Sequence, residues 1–167
     1  SWESRADVVR RAESINRSYR RRFEDLSPDR VITSRLVLVH SLAHALINEW
    51  SLDSGYPAAS LRERLYVSED MAGLLIYTAS SDSAGSLGGV VAQARPHRLE
   101  AALKEGILRA AWCSADPVCI ESDAAGVDAL NLAACHACSL LPEVSCEERN
   151  VFLDRAMLVG TPTEPNL

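Results

Sequence analysis

The stretch Ala133-Ala134-Cys135-His136-Ala137-Cys138 decides how this chain is read. Two residues between cysteines let both sulfurs turn toward one point about 2.3 Å away, the zinc–thiolate distance. Working outward, Cys113 and Cys119 precede this pair and Cys146 follows it, so every cysteine of the chain lies in its last third. Four thiolates arriving from separate loops close a tetrahedron, and such a site is structural: a catalytic zinc keeps one position for water and favours histidine or carboxylate ligands. Three competing readings carry less weight. Five cysteines can be buried as small core residues, although clustering argues against this. Disulfides would leave one of five thiols over, and no signal peptide precedes them. A redox Cys-x-x-Cys follows a strand at a helix start, whereas this one follows the helical-looking run Leu130-Asn131-Leu132-Ala133-Ala134.

With 167 residues, 47% of them hydrophobic, the chain buries a core of one domain, or one domain plus a helical arm. The apolar run starting at Leu36 is broken by His40, Ser41 and His44, too short for a bilayer, so no membrane association is expected. Unpaired cysteines indicate a reducing cytoplasm, and the opening Ser1-Trp2-Glu3 reads as a piece of a longer protein. The net charge of −6 is uneven: residues 1–22 hold seven arginines against three acids, a net of +4, which leaves −10 for the remainder. Arg10, Arg17, Arg20 and Arg21 on this arm are the candidate phosphate contacts, which would give sequence-independent, salt-dependent affinity. A solvated helix face explains the same arginines, and no aromatic interleaving supports base stacking.

Glu3 to about Phe23 lacks Gly and Pro and reads as an exposed helix, ended by Ser27-Pro28-Asp29. A strongly apolar helix from about Ser34 to Trp50 follows and should be central to the core. Arg62 to Val67 and Leu74 to Thr78, separated by Ser68-Glu69-Asp70, form an expected antiparallel hairpin. A polar, glycine-rich loop spans Ser80 to Gly89, and a helix is expected from about His97 to Trp112. Ser145 and Glu148 match a Ser-x-x-Glu capping box, which predicts a last helix from Cys146 to about Leu158.

His40 and His44 sit four apart on one helix face, the spacing that offers two imidazoles to a single metal. Ser41 stands where a zinc-protease helix needs its glutamate, so that reading fails. What remains is two hydrogen-bonded core histidines or a polar cleft in which His40, His44 and Asp82 serve a hydrolase or nuclease, with Ser83, Ser86, Asp154 or Asp116 nearby. The glycine loop lacks Gly-Lys-Ser/Thr, and its glycines match neither the Walker nor the dinucleotide fingerprint.

Several ordered motifs between His40 and Leu158 carry a family resemblance: the run Leu74 to Gly89, Cys113-Ser114-Ala115-Asp116-Pro117-Val118-Cys119, Ala133 to Cys138, and Cys146-Glu147-Glu148-Arg149-Asn150. Together they resemble the C-terminal region of the DrmB family of bacterial DISARM anti-phage systems and, more distantly, the zinc-binding domain that ends MrfA-type DNA-repair helicases. The resemblance implies a part of a larger cytoplasmic protein that pairs with a helicase-like subunit, engages DNA through that complex and restricts phage genomes. It also implies structural Zn2+ held by four of the five cysteines, expected as Cys119, Cys135, Cys138 and Cys146 with Cys113 in reserve. This chain itself carries no helicase motor, so no catalytic residues and no ATPase activity are carried over onto it; helicase activity would reside in a partner or another domain. The expectation is an α+β, helix-rich domain with a small antiparallel hairpin and a cysteine-ligated segment, residues 1–27 forming a basic helical arm or linker and 28–167 the zinc-binding domain. A pure protein-interaction module that never touches nucleic acid is the further alternative.

Overall fold

A computed structural model describes residues 2–26, 29–54, 57–78 and 88–164. The first helix, α1 (Ala6–Arg22), is amphipathic: Val8, Ala12 and Ile15, three to four residues apart, are buried on one side. Asp7 in its first turn and Arg20, Arg21 and Arg22 in its last complement the helix dipole. The buried side packs against Leu36 and Val37 of α2 (Ser34–Ser54) and against Leu130, Leu132, Phe152 and Met157 from the far end of the chain. The basic helix is therefore seated on the main core, and only its arginine-bearing side meets solvent. Asn16 reinforces the seat by accepting from the Ile32 amide at 2.9 Å and donating to the Ile32 carbonyl at 2.6 Å.

The central position expected for α2 is what the structure has. Its first turn is capped by Thr33, whose hydroxyl accepts from the Leu36 amide at 3.1 Å. Val37, Val39, Ala43, Leu46, Ile47 and Trp50 are buried, as are His40, Ser41 and His44, so α2 is covered on nearly every side. The hairpin also forms, from β1 (Leu61–Val67) and β2 (Ala72–Thr78), in antiparallel register with Leu61 opposite Thr78 and Val67 opposite Ala72. Burial alternates along β1, with Leu61 and Glu63 inward and Arg62 and Arg64 outward. Leu61 and Ile76 join Leu46, Ile47, Trp50 and Leu141 in a second core with Ala102 of α4 (Pro96–Ala110), which follows the short α3 (Gly88–Gln93). The result is the α+β, helix-rich arrangement with a two-stranded sheet that the sequence suggests.

Two expectations fail after α4. Leu130 to Ala134 is not helical: its backbone pairs with the returning segment, through Leu132 N to Leu153 O, Phe152 N to Leu130 O and Arg155 N to Ala133 O, each 3.0 Å. Nor does a helix run from Cys146 to Leu158. Glu143–Ser145 is a 3-10 turn, Arg149, Asn150 and Phe152 are left-handed, and only α5 (Ala156–Val159) is helical. The capping box is dismantled by tertiary partners, since the Ser145 hydroxyl donates to the Ala58 carbonyl and Glu148 pairs with Arg30.

A tight turn supports this irregular layer. Gly126 is left-handed, with φ of +71°, and a Cβ added there would lie 2.5 Å from Nδ2 of Asn131. Asn131 is fully buried, donates to the Asn150 carbonyl and accepts from the Leu153 amide. Gly126→Ala is expected to cost about 1–3 kcal/mol, read as a lower denaturant midpoint. An unchanged midpoint would show that the turn is not under this steric constraint.

Candidate metal centre

Four sulfurs converge in the irregular layer. Cys113 enters from the end of α4, Cys119 from the turn beyond it, and Cys135 and Cys138 from a turn in which the Cys138 and Ser139 amides donate to the Cys135 carbonyl. The Cys113–Cys135 sulfurs are 3.5 Å apart, and the Cys119–Cys138 and Cys135–Cys138 pairs 3.7 Å. A zinc tetrahedron with 2.3 Å bonds has edges of about 3.75 Å, far from the 2.05 Å of a disulfide. The donor set therefore fits one zinc ion, and it leaves no position for water.

Hydrogen-bond donors reach the sulfurs. The Ala115 amide donates to Cys113, and the Cys135 amide and Ser139 hydroxyl donate to Cys138. Burial works against ionising Cys135, yet the Ala137 amide and the neighbouring thiols outweigh it and hold its pKa below the ordinary thiol value. Burial, and then the charge of Cys138, pushes Cys119 the other way. Arg155, 1% exposed, supplies a fixed positive charge beside the sulfurs. Burial penalises that charge, but Cys119 and Asp116 keep the guanidinium's pKa above its usual value. Asp116 organises the loop: it pairs with Arg155 and accepts from the Cys113 and Ile120 amides at 2.9 and 3.1 Å.

Cys146 is elsewhere. It belongs to a second buried group with His40, His44 and Glu63, the four donor atoms lying within 4.8 Å of one another. Nε2 of His40 is 3.1 Å from the Cys146 sulfur and 3.1 Å from Oε1 of Glu63, and Nε2 of His44 is 3.5 Å from that same oxygen. Both imidazoles are 0% exposed.

Residues 42–139 match the model of the MrfA Zn-binding domain. The chain belongs to that family. This MrfA Zn-binding domain is also 42% identical over 125 residues to the DISARM protein DrmB of Bacillus paralicheniformis (strain ATCC 9945a / NCIMB 11709 / CD-2), a match covering 75% of the chain. It takes in 22% of that relative, so the chain spans about a fifth of the relative's length.

Of the expected ligands, Cys119, Cys135 and Cys138 come together, and the fourth sulfur is that of Cys113 rather than Cys146. The physical reason is the lost helix. With no helical turn at Cys146, its thiol follows the 3-10 turn into the space beneath β1, where the Asn150 amide donates to it at 3.1 Å. His40 and His44 do face one point, but beside Glu63, which sequence reasoning passed over; Asp82 lies outside the described residues. Asp154 and Asp116 are engaged by Arg11 and Arg155. Glu63 shares its phase along β1 with Leu61, the one sequence signal for its inward position. Arg10, Arg17, Arg20 and Arg21 are all exposed on α1; Arg10 pairs with Glu164 at 2.5 Å and Arg17 approaches Glu13 at 4.0 Å. Among the described residues, no helix is long and apolar enough to cross a membrane.

Proposed function

We propose that this domain is the non-catalytic, zinc-stabilised module of a DrmB-like protein in bacterial anti-phage defence, acting in the cytoplasm beside a helicase-like subunit and engaging DNA through that complex. The observation that carries the reading is the convergence of the Cys113, Cys119, Cys135 and Cys138 sulfurs, flanked by exposed apolar side chains. Trp112 is 71% and Val118 78% exposed, each next to a cluster cysteine. Exposed aromatic and aliphatic anchors on a rigid, metal-pinned loop suit recognition rather than turnover. A hydrolase built on His40 and His44 would need an imidazole that substrate can reach, and both are fully buried.

Direct DNA contact falls to the exposed side of α1. Binding of the chain to a fluorescent duplex, followed by anisotropy as salt rises, is expected to show log K falling with log salt. The triple variant Arg17→Glu, Arg20→Glu, Arg21→Glu should weaken binding across all sequences and reduce the slope by about three. No binding at low salt would leave a module that contacts protein alone. In cells that rely on the full-length protein for protection, Cys135→Ser should abolish phage restriction as deletion does; full protection would overturn the proposal.

A further inference from the structure

We infer that His40, His44, Glu63 and Cys146 form a second metal site, one that takes a borderline divalent ion of the zinc type. Four observations on the domain's own residues carry it, beyond the function proposed above.

The first is donor geometry. Mixed nitrogen, oxygen and sulfur ligands at ordinary zinc distances define tetrahedral edges of about 3.3 to 3.6 Å. The separations of 3.1, 3.1 and 3.5 Å around Glu63 and His40 lie within or a few tenths of an ångström below that range. The second is tautomer control. Nδ1 of His44 donates to the Ser139 carbonyl at 2.8 Å, so its Nε2 presents a lone pair to the cluster. That Nε2, although fully buried, has no hydrogen-bond partner among the described residues, and neither has Oε2 of Glu63. An orphaned lone pair beside an orphaned carboxylate oxygen is costly in a dry interior, and a cation satisfies both.

Charge is the third. As ligands, the Glu63 carboxylate and a Cys146 thiolate would bring two negative charges beside the two imidazoles, and a divalent ion cancels both. The fourth is support around the ligands. The Asn150 amide donates to the Cys146 sulfur and the Glu147 amide to Oε1 of Glu63, at 3.1 and 3.2 Å. Imidazole and thiolate together exclude magnesium and calcium and select zinc or a neighbouring transition metal.

Elemental analysis and zinc-edge X-ray absorption on the intact chain, purified without added metal, test this directly. Two zinc ions per chain are expected, with a mean of about 2.5 sulfur and 1.5 nitrogen or oxygen ligands per ion, and Cys146→Ser should lower the count to one. One zinc with four sulfur ligands in the unaltered chain would overturn the second site and spare the four-cysteine one. One zinc with a mixed shell would do the reverse. The absorption measurement needs no variant, so it stands even if Cys146→Ser misfolds.

Discussion

Cys135→Ser is expected to release zinc from the four-sulfur cluster and to eliminate the cooperative thermal transition of the whole domain. Structural zinc in small peptides contributes about 10–16 kcal/mol, as large as the entire stability of a typical domain, about 5–15 kcal/mol. The loss does not stay local. Leu130 and Leu132, a few residues before Cys135, belong to the same core as Val8, Ile15 and Val37, and Phe152 and Met157 are held against it by the Leu130–Phe152 and Leu132–Leu153 backbone bonds. When the cluster opens, α1 and α2 lose the surface that covers them. Circular dichroism melts of the variant, and of the unaltered chain with a strong chelator, should both show a shallow, non-cooperative slope. A variant that keeps its zinc content and melting temperature would remove Cys135 from the ligand set.

The second large effect centres on Asp154. Its carboxylate is 0% exposed and accepts from Nε and Nη2 of Arg11 at 2.5 and 2.9 Å. The Ala133 and Ala156 amides donate to it at 3.3 and 3.1 Å, while its own amide donates to the Ser41 hydroxyl at 3.0 Å. One residue thus joins α1, α2, the segment ahead of the cysteine pair and α5. Burial counts against the Arg11 charge, and the bond to Asp154 more than offsets it, so the guanidinium's pKa lies above its usual value. Asp154→Ala leaves that charge uncompensated and two amides unpaired, and is expected to cost about 3–5 kcal/mol. In urea unfolding, the double variant Arg11→Met, Asp154→Ala should recover part of this, because the stranded charge is gone. If Asp154→Ala alone cost under about 1 kcal/mol, the pair would be a surface-type bridge.

What the sequence disclosed follows the range of each signal. The α2 helix and the hairpin were legible because hydrophobic runs and the Ser68-Glu69-Asp70 break are local, and the Cys135–Cys138 pair because its spacing is a property of one turn. The choice between Cys113 and Cys146 was not legible: it depends on which loop crosses beneath β1, which is settled by partners far off in the chain. The capping box at Ser145 misled for the same reason, since Ala58 and Arg30 capture its two side chains. Glu63, between Arg62 and Arg64, reads as one more solvated charge; only the strand's alternation turns it toward His40 and His44.

The ion pair between Arg11 and Asp154 spans 143 residues, and this long reach bears on how the chain is made. The apolar side of α1 leaves the ribosome about 140 residues ahead of Phe152 and Met157, which cover it. At about 5–20 residues per second, that side waits roughly 7–30 s for its cover. Until then the nascent chain carries an uncovered Val8, Ala12 and Ile15 beside an uncovered α2, the kind of surface that holding chaperones take up. Metal loading, which needs Cys138, falls near the end of that interval, so a shortage of zinc prolongs the vulnerable period of every newly made copy.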